Sequence, residues 1–325
     1  MVTPEQGNQT SITELILLGF GTLLELQILL FLLFLVIYIA TMAGNILIMV
    51  LVVPDQHLHT PMYFFLGNLS FLETCYTSTI LPRLLASLLT GDRTISVSGC
   101  ITQYYFFSSL AATECLLLSV MSYDRYLAIV KPLHYAAHTS GRACLQLAAG
   151  SWVSGFLVSS ITAVLTSQLN FCGPNSIDHF FCDFIPLIKL SCNDPKLMQM
   201  LSLTLSFPFL LVPFLQTVMS YISIIATILR IPSTTGRQKA FSICSSHLIV
   251  VSIYYDTLLI AYMFPTAHTL RDSKKVLSVV YTVLTPLVNP LIYTLRNKEV
   301  KEALRKACRK FMLGQWKPTR CFKLK

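Results

Sequence analysis

Charged residues vanish from this chain over long stretches. Leu26 to Val53, Ala143 to Ile177, Leu197 to Leu229 and Val276 to Leu295 contain no Asp, Glu, Lys or Arg. Three further apolar stretches carry one acid each: Glu73 within Pro61 to Leu89, Glu114 within Val97 to Ser122, and Asp256 within Ala240 to Phe264. About 20 mostly apolar residues cross a bilayer as a helix, so the pattern predicts seven spans. The expected fold class is an all-α membrane protein, a seven-transmembrane helix bundle. After the last span the period changes. Val300, Leu304, Ala307 and Phe311 alternate with Lys301, Arg305, Arg309 and Lys310 at helical spacing, which predicts a short amphipathic helix over Asn297 to Gly314 lying along the membrane surface.

Composition agrees: 54% of residues are apolar and 12% charged, too greasy for a soluble globule. Basic residues set the direction of threading, because Lys and Arg accumulate on the cytoplasmic side. With the N-terminus outside, Arg83, Arg93, Lys189, Lys196, Arg271, Lys274 and Lys275 face out, and the other 17 of the 24 Lys and Arg face in. The net charge of +9 is therefore expected to meet anionic membrane lipids, not nucleic acid. Residues 1–25 show no cleavable signal sequence and are read as an extracellular N-terminus, 26–295 as the bundle and 296–325 as a cytoplasmic tail, all one domain of a multi-pass plasma-membrane protein. Asn8-Gln9-Thr10 is a glycosylation acceptor in the outer segment. Cys308 and Cys321 in the tail are palmitoylation candidates or plain tail cysteines.

Candidate chemistry sits at four places. At the inner end of the third span, Asp124-Arg125-Tyr126 puts an acid–arginine pair where the helix meets water, since such a pair is costly in hydrocarbon. Cys172, Cys182 and Cys192 recur at ten-residue spacing in the long outer loop, and Cys100 opens the third span on the same side. Four cysteines allow three pairings. Glu114 lies about 21 Å beyond Cys100 and about 16 Å before Arg125 along a helix, hence near the midplane, where an ionisable group is functional by default. Glu73 sits in the middle of the second span.

The stretch MSYDRYLAIVKPLHY, Met121 to Tyr135, closely resembles the inner end of the third helix of olfactory receptors, a branch of the rhodopsin-like G-protein-coupled receptors. The resemblance extends over nearly the whole chain: Gly44-Asn45, Pro61-Met62-Tyr63-Phe64, Ser220-Tyr221, Lys239-Ala240-Phe241-Ser242 through His247, and PLVNPLIY from Pro286 to Tyr293. It implies a receptor, not an enzyme, that binds a small volatile odorant and activates a heterotrimeric stimulatory G protein and cyclic-AMP synthesis. It also implies that Asp124 holds Arg125 at rest, and that Tyr221 and Tyr293 rearrange beside the arginine on activation. The disulfides it implies are Cys100–Cys182 and Cys172–Cys192. Asn45, Glu73, Glu114 and Asn289 would form a polar core able to hold a sodium ion, the one cofactor expected; a carboxyl kept protonated and hydrogen-bonded is the alternative.

The resemblance places the odorant among the third, fifth and sixth helices. Shared helical faces then nominate Phe107, Ser108, Ala111 and Ala112, Leu205, Ser206 and Phe209, and Tyr255, Leu258, Leu259 and Tyr262. Two departures from the family pattern stand out: Val130 replaces its usual Cys, and Tyr254-Tyr255-Asp256 its usual Phe-Tyr-Gly. Asp256 is expected on the flank of the pocket. There it either binds a hydroxyl such as Tyr254 or Tyr281, tilts toward outer-loop water, or pairs with an amine ligand. A receptor for a peptide, lipid or metabolite is the alternative function. A transporter would show inverted repeats, which the sequence lacks.

Overall fold

In the computed structural model the described residues are 12–21, 23–52, 58–171, 174–192, 195–263, 271–296 and 298–312. Six helices and one composite rod build the bundle: α1 (Leu24–Val52), α2 (Pro61–Thr90), α3 (Val97–Val130), α5 (Gly141–Ser167), α7 (Pro195–Leu229), α8 (Thr234–Met263), and α9 (Arg271–Val279) running through a π-helical turn (Val280–Leu284) into α10 (Thr285–Arg296). Two short helices, α4 (Pro132–His138) and α6 (Phe184–Ile188), lie in the connections, and α11 (Lys298–Met312) follows the last span. The seven apolar stretches thus become seven helical rods. By length and composition five helices among the described residues are apolar enough to cross a membrane, or six when α8, bent by 42°, counts as one span. In α2 the apolar run is interrupted by Asn68, Ser70, Glu73, Thr74 and Thr77, and most of these find partners inside the protein.

Local signals set the helix ends. Ser96 caps α3 by accepting from Gly99 N at 3.1 Å, and Ser140 caps α5 by accepting from Ala143 N at 3.3 Å. Pro61 opens α2, where its missing N–H costs nothing, and Gly91 closes it at φ 75°, donating to Ser87 O. Inside the helices Ser and Thr hydroxyls donate to the carbonyl four residues back, as Thr77 does to Glu73 O (2.7 Å) and Thr113 to Ser109 O (2.8 Å). In a medium without water this satisfies a hydroxyl locally.

α3 is the central post and packs most extensively on α5 and α7. Its approach to α5 depends on Gly155: a β-carbon there would lie 2.8 Å from Thr113 N and 2.9 Å from Ser109 O. The mean seam of the core runs through Leu66, Leu69, Leu72, Tyr76, Leu117, Leu118, Tyr254 and Tyr293. Large apolar side chains such as Leu32, Val36, Val153, Leu157, Val212 and Ile222 point outward, the reverse of a soluble protein and as expected of a lipid-facing surface.

One end of the bundle carries a structure that the helical reading did not contain. β1 (Glu14–Leu17) pairs antiparallel with β2 (Thr94–Ser96), Ile16 opposite Thr94, and parallel with β3 (Ser176–Ile177), Leu17 opposite Ile177. The N-terminal segment is therefore the middle strand of a three-stranded lid. Leu15 and Leu17 bury beneath it against Cys100, Ile177, Cys182, Leu187 and Leu190. Arg93 donates to Leu18 O (2.9 Å), and Lys275 binds both Gly19 O and the Asp178 carboxylate. Phe20 stacks on Phe180 with centroids 5.1 Å apart. At the opposite end α11 buries Val300 and Ala303 while Lys301, Arg305 and Arg309 are exposed, as the amphipathic period predicted. The side chains of Ala307 and Cys308, and Phe311, Cys321 and Asn8, fall outside the residues whose side chains are described.

His179 links this lid to the last rod. Its Nε2 lies 3.2 Å from Ser278 Oγ, and its Nδ1 accepts from Phe181 N at 3.4 Å. This pair of contacts suits the neutral ring, with the proton on Nε2. Burial, and next the Lys275 ammonium, push His179 down to about 4, against the opposing pull of Asp178. An unfolded or detached loop titrates near 6.5. The detached lid therefore binds more protons between those values, and lid stability is full above about pH 6.5 and falls as the pH drops toward 4. We expect the protection factors for amide exchange of Phe180–Cys182 to fall on going from pH 7.5 to 5 and to lose this pH response in His179→Gln. Equal pH responses in the two proteins would remove His179 as the cause.

Candidate functional site

The region nominated as a ligand site lies under the lid. Phe181 closes it from above, with its ring centroid 4.8 Å from that of Phe107, and Phe107 is itself in ring contact with Tyr76 (5.4 Å) and Tyr281 (6.3 Å). The loop is pinned there by the Cys100–Cys182 disulfide and by Gln103, whose side chain accepts from Cys182 N (3.0 Å) and donates to Thr79 O (3.0 Å). From below, Tyr254 donates to Ala111 O and Tyr255 to Cys115 O, both at 2.8 Å. These bonds tie α8 to α3 through buried hydroxyls, and Phe214 of α7 packs on Tyr255 at 5.5 Å. Ala111, Ala112, Ser108, Leu205, Phe209 and Leu259 are half-buried, and Leu258 is buried. The side chains of Ser206 and Tyr262 lie outside the described residues. Of the predicted set, Phe107, Tyr255 and Leu258 belong to one buried core with Ala111 packed against it, and Phe107 is turned toward α2 and the lid.

Asp256 does not join it. Tyr254 and Tyr281 hydrogen-bond elsewhere, to Ala111 O and Ser278 Oγ, so the expected hydroxyl partners are taken. The side chain is exposed and stands about 200° around α8 from Tyr254, on the outer surface of the bundle. The expected position on the pocket flank is corrected: the angular step from Leu259 was right, but Leu259 itself lies at the edge of the inward face.

Of the four residues named for a polar core, the structure joins Glu73 and Asn289 directly and buries all four. Asn289 donates to a Glu73 carboxylate oxygen, and Asn45 donates to Thr41 O (3.1 Å) and Pro286 O (3.2 Å). Gly44 lets α10 close in, since a β-carbon there would meet Pro290 at 3.1 Å. Glu73, Glu114, Asn45 and Asn289 are each 2% exposed or less. Around them Thr41 Oγ1, Asn45 Oδ1, Tyr76 Oη, Glu114 Oε1 and Ser119 Oγ are buried without a hydrogen-bond partner in the protein. So many unpaired oxygens in one place are exceptional, and their chemistry, carboxylate, amide and hydroxyl oxygen, suits a hard cation with water.

At the far end of α3, Arg125 lies 3.4 Å from Asp124, whose other oxygen accepts from Tyr135 of α4 at 3.0 Å. Arg125 Nε stays unpartnered though buried. Tyr221 meets His247 Nδ1 at 2.5 Å across α7 and α8, while His247 Nε2 and Tyr293 Oη are buried without partners. Tyr126 packs with Tyr221, Ile224 and Ile228 and sits under Lys131 at 5.8 Å. Beside it opens a hollow of about 810 Å³ lined by Tyr123, Val130, Lys131, Leu133 and His134.

Several of these residues escaped sequence reading. Tyr135, His247, Gln103, Tyr76 and the Phe180–Phe181 pair act through contacts 11 to 160 positions away, which no periodicity reveals. Signals existed for the aromatic pair, which adjoins Cys182, and for Tyr135 and His247, which close two of the motifs quoted above without a role of their own. Of the second expected disulfide, Cys192 is disulfide-bonded, and Cys172 lies outside the described residues. The backbone brings their flanks together through the Phe171–Ser191 bridge and Cys192 N to Asn170 O at 2.8 Å.

Comparison with known proteins now places the chain. The sequence model of the family described as Olfactory receptor matches residues 34–310. Human olfactory receptor 11A1 is 50% identical over 300 residues, 92% of this chain and 95% of that protein. Human olfactory receptor 6P1 is 50% identical over 295 residues (91% and 93%), and human olfactory receptor 10A7 is 49% identical over 299 (92% and 95%). With a lid over an aromatic seam at one end of seven rods and a held arginine at the other, the chain belongs to the olfactory receptor family of G-protein-coupled receptors and is not an enzyme.

Proposed function

We propose that this receptor sits in the plasma membrane with its lid outside, binds a small, mostly apolar volatile molecule between α3, α7 and α8, and activates a stimulatory G protein that raises cyclic AMP. The excess of Lys and Arg at the α11 end supports that orientation. The observation that carries the signalling reading is the arrangement at Arg125. The arginine is held by Asp124, Asp124 is held by Tyr135, and His247 and Tyr293 offer buried unpaired atoms nearby, with Tyr221 bonded to the other nitrogen of His247. A ligand that favours the arrangement in which Arg125 leaves Asp124 shifts an equilibrium already present. Arg125→Ala is expected to reach the cell surface and to lose odorant-evoked cyclic AMP. Tyr135→Phe removes a hydrogen bond to a charged group, worth about 1.5–3 kcal/mol, and is expected to raise basal cyclic AMP. Normal signalling by surface-expressed Arg125→Ala refutes the assignment.

The polar core is read as a sodium site of the inactive receptor. Glu114, Glu73, Asn45 and Asn289 would supply its oxygens, and the bound charge would stabilise the closed core. Replacing sodium by choline is expected to lower the apparent melting temperature of the solubilised receptor, and Glu114→Gln to abolish that difference. If Glu114→Gln keeps the full sodium effect, the core holds protons or water instead.

The second disulfide is read as Cys172–Cys192, supported by the paired backbone of the residues just before both cysteines. It would fold the long loop onto itself beside the lid. Unreduced peptide mapping is expected to recover those two cysteines in one linked fragment, and a fragment joining Cys192 to any other cysteine excludes the pairing.

A further inference from the structure

At the end of the bundle away from the lid, the hollow beside Tyr126 has a chemistry of its own. One wall is α3, through Tyr123, Tyr126 and Val130, the other is α4, through His134 and His138, and Lys131 joins them. Its volume of about 810 Å³ is that of an ordinary ligand site, roughly 300–1,000 Å³. No acid lines it. Lys131 forms no ion pair among the described residues, and its ammonium rests 5.8 Å from the centre of the Tyr126 ring, a contact that positions the charge without neutralising it. Tyr123 and Tyr126 stack at 6.2 Å, and neither hydroxyl has a partner among the described residues. The rings of His134 and His138 stand 6.4 Å apart, and His138 Nδ1 donates to His134 O at 3.0 Å, which leaves Nε2 uncommitted. Ammonium, imidazole and phenol together call for an anion.

Depth identifies the source of that anion. Along α3, Tyr123 stands about 14 Å and Lys131 about 26 Å beyond the mid-membrane Glu114. Half a bilayer holds about 15 Å of hydrocarbon, and its headgroups reach to about 20–22 Å from the centre. The hollow therefore begins at the edge of the acyl chains and runs through the headgroup layer. Its apolar part agrees: Val130 is half-buried on the α3 wall, and Leu133 on α4 is 94% exposed. A leucine left bare at this level finds acyl chain, and a lysine beside it finds phosphate. One permanent cation with two imidazoles suits a single phosphate group better than a polyphosphate.

We propose that the hollow between α3 and α4 holds the headgroup of an anionic phospholipid, with its phosphate on Lys131 and His134 and its acyl chains against Val130 and Leu133. Placing that lipid in the cytoplasmic leaflet, the anionic one, rests on the orientation proposed above; the contact itself does not.

The test uses the full chain in nanodiscs of phosphatidylcholine with a trace of phosphatidylserine that carries a photoreactive group near its glycerol. The probe is present in both leaflets, so the result does not depend on orientation. Peptides covering Tyr123 to His138 are expected to be labelled several-fold more than by the same group on phosphatidylcholine. Lys131→Gln combined with His134→Gln, both at exposed positions that spare the fold, is expected to reduce labelling to the phosphatidylcholine level. Val130→Phe, which fills the hollow and leaves the charge, is expected to reduce it as well. Lys301→Gln combined with Arg305→Gln, which removes basic charge from α11, is expected to leave it unchanged. Equal labelling by the two probes means that only bulk lipid enters, and overturns the proposal. Unchanged labelling in the Lys131→Gln/His134→Gln or the Val130→Phe protein does the same. If the double variant keeps its lipid label but loses binding of the G protein, the hollow belongs to that protein instead.

Discussion

A polar group in hydrocarbon has no water to fall back on, and most of this structure follows from that constraint. Backbone groups close their bonds within helices, and serine and threonine hydroxyls return to carbonyls a turn earlier. What remains polar after this local accounting must meet something from another helix. Those encounters are the places that matter: Asn289 on Glu73, Tyr254 and Tyr255 on the α3 backbone, Tyr135 on Asp124, Tyr221 on His247. The polar contacts hold the rods in register, and the same contacts are what a ligand or a G protein must change.

The atoms left without partners therefore carry as much information as those with them. They concentrate in two groups, around Glu114 and Tyr76 in the middle of the bundle and around Arg125, His247 and Tyr293 at the end away from the lid. An unpaired buried oxygen or nitrogen is expensive, and the cost is recovered when water, an ion or a different arrangement of helices supplies a partner. A packing alternative close in energy is the condition for a two-state receptor, and packed interiors switch between discrete arrangements instead of deforming smoothly. The π-helical turn at Val280–Leu284 lies in the same rod as Asn289 and Tyr293 and marks a local departure from regular helix on that path.

The lid couples the ligand end to the chain's own N-terminus. Its middle strand comes from Glu14–Leu17, its flanks from the two loops that follow α2 and α5, and its fasteners are the Cys100–Cys182 bridge, Arg93, Lys275 and His179. A short strand pairing is weak alone. Here the buried Leu15 and Leu17 and the disulfide carry it, so the roof over Phe107 is fastened at several points while the floor is a set of tyrosines anchored by single hydrogen bonds.

The sequence by itself determined the seven spans, the amphipathic α11, the family and the cluster of polar residues at mid-depth. Apolar period, charge exclusion and short motifs are local properties, and in a membrane they decide burial almost alone. Helix ends were legible to within a turn at Pro61, Ser140 and Leu229. Tertiary structure decided the rest. Whether β1 pairs at all depends on strands about 80 and 160 residues away, and nothing in ELIL distinguishes a strand of a lid from a loop. Which face of α8 turns inward depends on how α3 and α7 receive it. A helix with apolar residues on all sides shows little preference of its own, and Asp256 was placed on the pocket side for that reason. In a soluble protein the acid would have identified the outward face. Here both faces are apolar, and packing against Ala111 and Cys115 made the choice.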